Sequence, residues 1–400
     1  MIAHKFIRLT AGVLACVFAV GWASVGAAYA QEADGSGLNA EGPDIAAESA
    51  VLMEASTGEV LYEKNPHKAL PPASITKIMT LLLIYENQKA GKFGWDDMVQ
   101  VSQHAASMGG SQVFLEPGEE QTAADLTKCI VIASANDAAV AMAEFIGQSE
   151  EGFVKMMNQR AKELGMEDTV FLNACGLDTS GHVSSAHDIA IMSRELIVNF
   201  PEIREYTTIW MDTITHKTRK GESEFDLTNT NKLIKWYSGA TGLKTGSTGL
   251  AKYCVSATAE RDGMELIAVI MAAPSNTERF QEAMKLLDYG FGSYEKVSLC
   301  QEGESCGNIS VLKGNVDFVE TKTAKSLWAL VKKGGESAVT KEERLYESLT
   351  APFEAGEKAG EAVYFVNGNE AGRVDIVSCS PAEKAGIDDN MRKILKSWVA

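Results

Sequence analysis

Positive charge is scarce in this chain, and that scarcity narrows the range of its partners. Its 400 residues include 37 lysines and arginines against 54 aspartates and glutamates, a formal net charge of −17 at pH 7. Proteins that bind nucleic acids neutralise phosphates with basic side chains, so this balance argues against DNA or RNA as a partner. The composition, 45% hydrophobic and 23% charged, is nevertheless that of a globular protein. The length allows about two or three domains.

Long apolar runs are limited to the N-terminus. Two basic residues precede an apolar run from Leu9 to about Val25, and Ala28-Tyr29-Ala30 has the small-x-small pattern of a cleavage site. These features predict a secretory signal peptide over residues 1–30, and therefore export. A lipoprotein site at Cys16 is a weaker alternative, because the apolar run continues beyond it. No later segment reaches the ~18 to 20 apolar residues of a membrane span.

Metal-binding patterns are also missing from the sequence. It has no CxxC pair and no HExxH segment, so neither a metal site nor a cofactor is predicted. Cys129 and Cys254 lie in apolar patterns, where cysteine is usually a small buried hydrophobic residue. Cys300 and Cys306 bracket a loop instead, and in an exported protein they are candidates for a small disulfide.

Turn signals divide the middle of the chain into strands and helices. Residues 31–45 begin with a stretch rich in Gly, Ala, Ser and Asp, which predicts a flexible lead-in. Two apolar runs then surround Ser56-Thr57-Gly58, and two more are joined at Arg261-Asp262-Gly263. Both patterns indicate β-hairpins. Because helical stretches lie between these strands, residues 46–291 are predicted to form one α+β domain.

Three helices are predicted inside this domain. The first passes through Ser74 and ends near Lys89, and the second covers about Leu126 to Ile146. The third begins at a capping Ser275 and reaches about Tyr289.

Shorter strands replace this pattern toward the C-terminus. Gly290 to Glu295 is predicted to be a linker, and residues 296–380 are predicted to form a small β-rich domain with a hairpin turn at Asn367-Gly368. No cluster of catalytic residue types lies between these strands. Residues 381–400 are predicted to form an amphipathic helix.

The tail carries an apolar stripe with basic residues beside it. Its apolar positions follow the i, i+3, i+4, i+7 spacing of one helix face. About 20 Å of helix is too short to span a bilayer of ~30 Å, but such a helix can lie in the membrane interface. Packing of the stripe onto the β-rich domain is the alternative. The stripe consists of Ile387, Met391, Ile394, Leu395 and Trp398.

Ser74 and Lys77 form an SxxK pattern within "PPASITKIMT". At positions i and i+3 they lie on one face of a helix. A lysine among buried apolar residues costs free energy, but a lysine whose pKa falls toward ~7 to 8 can accept the proton of a serine nucleophile. The pattern alone is weak evidence, since a lysine can also extend from a core helix to solvent through its aliphatic stem.

Two further patterns follow along the chain. Ser134-Ala135-Asn136 interrupts the apolar stretch "VIASANDAAVAMAE", where polar residues also mark bends and helix caps. Lys244-Thr245-Gly246 stands at the entry to a strand, and alone it is as common as any surface turn. In this order along one exported chain, SxxK, SxN and KTG are the active-site motifs of penicillin-recognising serine enzymes.

The chain resembles the serine-type D-alanyl-D-alanine carboxypeptidases, which are low-molecular-weight penicillin-binding proteins. The three motifs carry the resemblance, together with flanking segments such as "LMEASTGEVLYEKN" and "GLDTSGHVSSAHDIA". It is dense over residues 46–291 and looser beyond. The implied fold is a β-lactamase/transpeptidase-like catalytic domain, in which a sheet carries a helical subdomain, followed by a small β-rich domain.

The resemblance also implies a function and a location. Such enzymes remove the terminal D-Ala from peptidoglycan stem pentapeptides through a seryl acyl-enzyme, and β-lactam antibiotics acylate the same serine. No cofactor is implied. The expected location is the cell envelope, at the outer face of the cytoplasmic membrane. Related enzymes often end in a membrane-anchoring amphipathic helix, which favours the interfacial interpretation of the tail.

The resemblance assigns catalytic roles to Ser74, Lys77 and Ser134, and a substrate-binding role to Asn136. Ser74 would attack the D-Ala-D-Ala carbonyl and hold the acyl group, and Lys77 would accept its proton. Ser134 would relay a proton to the leaving D-alanine. Asn136 would orient Lys77 and the substrate amide.

It assigns substrate-binding roles to the KTG segment. Lys244 and Thr245 would face the terminal carboxylate of the substrate, and Lys244 would also lower the pKa of Lys77. The backbone amides of Ser74 and Ser247 would form the oxyanion hole. Ser247 stands where the family often has an aromatic residue or a histidine.

Other polar residues are assigned structural roles. His182, His187 and Asp188 suggest a metal site or a triad, but a loop closed by a Ser185/Asp188 cap at a helix start is the preferred interpretation. Asn231, just upstream of KTG, is a candidate to brace the site.

Three other functions remain as alternatives. A β-lactamase shares the fold and motifs, but no ExxLN sequence lies between Ser134 and Lys244 to provide fast deacylation. An endopeptidase acting on cross-links remains open, because the sequence does not show how open the cleft is. A non-catalytic wall-binding protein is disfavoured by the intact motifs.

Overall fold

A computed structural model describes residues 42–219, 221–335, 338–389 and 391. These described residues belong to one compact unit. The predicted signal peptide, most of the lead-in, and the stripe residues Ile394, Leu395 and Trp398 lie outside the described residues.

Within the described residues the regular elements are as follows. The helices are α1 (Lys77–Lys89), α2 (Gln103–Ala106), α3 (Ala123–Ile132), α4 (Asn136–Gly147), α5 (Glu150–Glu163), α6 (Ala186–Asn199), α7 (Arg204–Thr207), α8 (Leu233–Trp236) and α9 (Asn276–Ser293), with short 3-10 helices at Ala73–Thr76 and Pro201–Ile203. The strands of the first, larger part are β1 (Ser49–Glu54), β2 (Val60–Lys64), β3 (Met98–Gln100), β4 (Glu120–Thr122), β5 (Met211–Thr218), β6 (Gly221–Thr228), β7 (Ala240–Thr248), β8 (Lys252–Arg261) and β9 (Met264–Ala273). The strands of the second part are β10 (Tyr294–Cys300), β11 (Ser305–Leu312), β12 (Phe318–Thr323), β13 (Leu327–Lys332), β14 (Val339–Leu345), β15 (Ser348–Thr350), β16 (Lys358–Val366) and β17 (Asn369–Ser378).

A five-stranded antiparallel sheet in the order β2-β1-β9-β8-β7 is the frame of the first part. The three central strands β1, β9 and β8 are largely buried on both faces. Because side chains alternate across a strand, each of these strands contributes to two cores. In β1, Val51 and Met53 join the core shared with helices α1, α3, α4 and α6, whereas Ala50 and Leu52 join the core under α9. Both predicted hairpins are confirmed, and β7 lies at one edge of the sheet.

The helical prediction for Leu126 to Ile146 is corrected by the structure. Two helices, α3 and α4, replace one, and the break falls between Ile132 and Asn136. Ser134 has a φ of 60°, in the left-handed region that non-glycine residues rarely occupy, and Ala135 is extended. A helix cannot continue through these two backbone conformations, so the chain turns sharply here.

The linker prediction for Gly290 to Glu295 is wrong. Helix α9, capped by Ser275 as predicted, continues to Ser293, and strand β10 begins at the next residue. The disulfide prediction is also wrong. Cys300 Sγ faces the Lys325 carbonyl, Cys306 Sγ faces the Glu304 carbonyl, and all cysteines of the described part are free thiols.

The second part is β-rich, as the sequence predicts. A six-stranded sheet in the order β14-β16-β17-β12-β11-β15 packs with the β10–β13 pair around its own apolar core. Asn367 and Gly368 form the expected hairpin turn, with φ values of 53° and 83°. A helical turn begins at Ile387. Among the described residues, no helix is both long and apolar enough to cross a membrane.

Candidate active site

Ser74 lies at the start of the first long helix, facing Lys77. It belongs to the 3-10 turn Ala73–Thr76, and Lys77 opens α1 directly after it. Ala73 enters the turn with a φ of 48°, a conformation that is uncommon without glycine. Lys77 Nζ donates to Ser74 Oγ at 3.1 Å, so the spacing of three residues brings both polar atoms together as predicted.

The Lys77 ammonium group is completely buried and fully hydrogen-bonded. Besides Ser74, it donates to Asn136 Oδ1 at 2.6 Å and to the Cys175 carbonyl at 2.7 Å. Burial lowers the pKa of Lys77 to about 8, although the nearby Cys175 and Asp137 act in the opposite direction. Three acceptors use its three N–H bonds, which fixes the position of the nitrogen.

The break between α3 and α4 places the SxN motif beside Lys77. Asn136 is the first residue of α4, and its side-chain amide donates to the Gly109 carbonyl at 2.6 Å. Its backbone N–H donates to the Ser111 carbonyl at 2.7 Å. Because the chain turns at Ser134, the two polar residues of the motif have different partners. Asn136 accepts a hydrogen bond from Lys77, and Ser134 accepts one from Lys244.

Asp137, next in the chain, is a buried carboxylate that the sequence interpretation did not single out. It accepts backbone N–H groups from Val113 at 3.1 Å and Leu115 at 3.1 Å, and from Ala138 at 2.9 Å. Backbone donors suit an ionised carboxylate, so the Asp137 charge is compensated although the residue is fully buried.

Lys244 is a second buried cation in the site. It lies on edge strand β7 and donates to Ser134 Oγ at 2.7 Å and to the Thr245 carbonyl at 3.3 Å. Burial lowers the pKa of Lys244 well below its ordinary value, and the charges of Lys77 and Arg279 lower it further. The predicted electrostatic effect between the two lysines is therefore present, but it acts on Lys244. The pKa of Lys77 is lowered by burial.

The rest of the KTG segment packs against the nucleophile turn. Thr245 Oγ1 donates to Thr230 Oγ1 at 2.8 Å. A Cβ on Gly246 would lie 2.9 Å from the Pro72 carbonyl oxygen and 3.0 Å from the Ser74 nitrogen, so only glycine allows this approach. Ser247, the next residue of β7, is exposed.

Two residues brace β7 from behind. Asn231 Nδ2 donates to the Gly242 carbonyl at 2.7 Å, in line with its predicted role. Arg279, which the sequence interpretation missed, is buried and donates to the Gly246 carbonyl at 3.0 Å and the Cys254 carbonyl at 3.3 Å. Arg279 reaches the site only because α9 packs under the sheet in the folded protein.

The histidine cluster is structural. His182 is buried, bonds to Thr76 Oγ1 at 2.8 Å and accepts the Leu172 N–H at 3.1 Å; burial lowers the pKa of His182 to about 4. Ser185 caps α6 through the Asp188 N–H, as the sequence predicts. Within the described ranges, no group of three or more His, Cys, Asp or Glu side chains is placed to hold a metal ion.

The structure thus brings six of the seven predicted site residues into two hydrogen-bonded groups. Lys77 links Ser74 to Asn136, while Lys244 reaches Ser134 and precedes Thr245 on β7. The packing of Gly246 against the Ser74 nitrogen holds the two groups side by side. Ser247 follows on the same strand.

Comparison with known proteins finds matches over most of the chain. The model of the D-alanyl-D-alanine carboxypeptidase family matches residues 37–275, and that of the penicillin-binding protein 5 C-terminal domain matches residues 294–384. The D-alanyl-D-alanine carboxypeptidase DacF of Bacillus subtilis (strain 168) is 44% identical over 353 residues, 88% of this chain and 90% of that protein. DacC of Escherichia coli (strain K12), named likewise, is 33% identical, covering 86% of each chain.

Solved structures extend the likeness to three dimensions. The crystal structure of penicillin-binding protein 5 from Haemophilus influenzae superposes with a TM-score of 0.71 at 30% identity, over 86% of this chain and 99% of that one. This chain belongs to the D-alanyl-D-alanine carboxypeptidase family. The family and the fold class predicted from the sequence are both confirmed.

Proposed function

We propose that Ser74 is the nucleophile and Lys77 the general base of this serine-type D-alanyl-D-alanine carboxypeptidase. The observation that carries the proposal is the Lys77 amine, which is fully buried and bonded at once to Ser74 Oγ, Asn136 Oδ1 and the Cys175 carbonyl. A pKa of about 8 leaves a usable fraction of the amine neutral near neutral pH.

In the acylation step, Ser74 Oγ attacks the carbonyl carbon of the penultimate D-alanine, and its proton passes to the neutral Lys77 Nζ. The carbonyl oxygen becomes an oxyanion, which the backbone amides of Ser74 and Ser247 would stabilise. The approach of Gly246 to the Ser74 nitrogen supports this arrangement, because it holds β7 beside the nucleophile turn.

The leaving group then departs as the peptide bond breaks. The nitrogen of the terminal D-alanine gains the proton that Lys77 took from Ser74. Ser134 is the proposed relay for this proton, and its hydroxyl is held by Lys244 Nζ at 2.7 Å. A water molecule then attacks the Ser74 ester, frees the shortened stem peptide and restores the serine. A penicillin enters by the same first step, when Ser74 opens its β-lactam amide.

Substrate binding depends on Lys244 and Thr245. Burial and the charges of Lys77 and Arg279 favour loss of the Lys244 proton. The terminal carboxylate of the substrate supplies an opposite charge and reverses this effect, so Lys244 binds it as an ammonium ion. Recognition and charging of Lys244 are therefore coupled.

A labelling experiment tests the nucleophile. Ser74→Ala is expected to abolish covalent labelling by a fluorescent penicillin and the release of D-alanine, and mass spectrometry should find the wild-type label on the Ser74 peptide. Ser348→Ala, in the C-terminal sheet, is the control and should label normally. Labelling of Ser74→Ala at the wild-type rate would exclude Ser74 as the nucleophile.

The enzyme acts in the cell envelope, and its attachment there is a further part of the proposal. Cleavage of a signal peptide over residues 1–30 would release the chain at the outer face of the cytoplasmic membrane. Ile387 and Met391, which begin the predicted apolar stripe, are 82% and 58% exposed, which supports an interfacial role rather than packing on the β-rich domain. Deletion of Asp388–Ala400 should end co-sedimentation with anionic liposomes without reducing activity on a soluble peptide. Equal co-sedimentation of both forms would contradict the anchor.

A further inference from the structure

An anchored chain segment borders the active site on the SxN side. We call residues 109–115 the rim segment. At its start, the carbonyls of Gly109 and Ser111 accept the side-chain and backbone N–H groups of Asn136. At its end, the Val113 and Leu115 N–H groups both donate to the Asp137 carboxylate. Asn136, the last residue of SxN, and Asp137, which follows it, therefore hold the two ends of the rim segment.

Phe114 lies between the two anchored amides in a strained conformation. Its φ is 61°, which is a genuine outlier for a bulky side chain. Its neighbours Val113 and Leu115 are buried, yet Phe114 is 63% exposed. Strain of this kind persists only where the surroundings impose it, and it concentrates at functional sites. The Asp137 carboxylate supplies that constraint, and the result is a large apolar ring turned toward solvent.

In the part of the chain that the structure describes, one aromatic ring packs against Phe114, and it belongs to a segment that leads to the KTG side of the site. Phe225 of β6 packs edge-on against Phe114, with ring centroids 5.9 Å apart. Five residues further along the same chain, Thr230 accepts the hydroxyl hydrogen bond of Thr245. The Phe114–Phe225 pair thus joins two segments, one tied to SxN and the other tied to KTG.

We propose that Phe114, supported by Phe225, is a specificity-determining residue that contacts the substrate on the amino side of D-Ala-D-Ala. This inference rests on the proposed function. The carboxylate-binding residues Lys244 and Thr245 are buried, so the terminal D-alanine lies inside the site. Only the part of the stem peptide that protrudes can reach an exposed ring at the rim. The matching chemistry is a long aliphatic side chain on the residue that precedes the two D-alanines.

Two soluble substrates separate this contact from catalysis. One is diacetyl-L-lysyl-D-Ala-D-Ala, which has a long, uncharged side chain at the relevant position. The other is acetyl-glycyl-D-Ala-D-Ala, which has none. Phe114→Ala is expected to raise KM for the lysyl substrate roughly tenfold with little change in kcat, and to leave kcat/KM for the glycyl substrate within about twofold. Tenfold corresponds to about 1.4 kcal/mol, a modest amount for one apolar contact.

Further variants separate contact from strain. Phe114→Gly accepts the left-handed conformation without penalty, so it should fold at least as well as the wild type and still lose selectivity as Phe114→Ala does. Phe114→Leu keeps an apolar side chain and should retain most of the selectivity. Phe318→Ala is the matched control, because Phe318 is 62% exposed but belongs to the C-terminal sheet.

The possible outcomes are distinct. An equal loss on both substrates would assign Phe114 a purely structural role and overturn the proposal, and unchanged kinetics on both would overturn it as well. Labelling of Ser74 by fluorescent penicillin is measured on the same samples. If wild-type protein fails to label, the proposed function fails; if labelling is normal and selectivity does not change, only the role of Phe114 fails.

Discussion

The dependence of acylation on pH tests the role proposed for Lys77 most directly. A lysine acts as a base only when it is neutral, so the acylation rate should follow its neutral fraction. With burial lowering the pKa of Lys77 from 10.5 to about 8, roughly one molecule in ten carries a neutral amine at pH 7, against roughly one in 3,000 for an ordinary lysine. The burial of this side chain therefore raises the neutral fraction of Lys77 at pH 7 by a factor of about 300.

The measurement is the second-order rate constant for labelling by a fluorescent penicillin. It should rise about tenfold per pH unit below the pKa of Lys77 and become level above it. The substitution Asp137→Asn provides an independent way to shift the pKa of Lys77. The Asp137 carboxylate raises the pKa of Lys77, so removing the charge should move the midpoint to lower pH. Spontaneous hydrolysis of the penicillin is measured in matched buffers and subtracted.

Two results would refute this reasoning. One is a rate that shows no rise through pH 8, or that rises only near 10.5, where a solvent-exposed lysine titrates. The other is a titration limb of the same midpoint in Lys77→Ala, which would show that another group supplies the base.

Two substitutions in the KTG segment extend these tests. Lys244→Ala should slow acylation by peptides and penicillins more than acylation by an ester that lacks the carboxylate, and equal losses would contradict carboxylate binding. Gly246→Ala should reduce penicillin labelling by at least about a hundredfold, because its Cβ would lie 3.0 Å from the Ser74 nitrogen and displace the oxyanion donors. Wild-type labelling in a folded Gly246→Ala protein would show that β7 does not need to approach the nucleophile so closely.

The sequence was most informative where the physical signal is local. The turns at Ser56-Thr57-Gly58 and Arg261-Asp262-Gly263 predicted their hairpins, since turn residues act on their own backbone. The SxxK pair was equally local, because one helical turn is enough to place Ser74 beside Lys77.

Contacts between distant parts of the chain were not predictable in this way. Asp137 reads as an ordinary first-turn residue of a helix, and only the folded chain brings the Val113 and Leu115 amides to it. Arg279 reads as one charge on an amphipathic helix, and its bond to the Gly246 carbonyl spans 33 residues.

The linker error has a physical cause as well. Gly290 weakens a helix in isolation, so the sequence suggested a break there. In the folded protein, a Cβ on Gly290 would lie 2.5 Å from a side-chain carbon of Leu266 and 2.9 Å from one of Leu52. The glycine therefore permits close packing of α9 on the sheet, and the helix continues through it.

Apart from the local Ser74–Lys77 pair, the site cannot form within any short piece of the chain. The bond between Lys77 and Asn136 joins residues 59 positions apart, and that between Lys244 and Ser134 joins residues 110 positions apart. A partly folded molecule would contain all three motifs and still lack the arrangement that is proposed to activate Ser74. The number of molecules that a penicillin labels covalently should therefore equal the number of molecules in which the site has assembled. Followed during refolding, the same reagent would time the formation of the long-range contacts, whereas circular dichroism would detect the helices as they form.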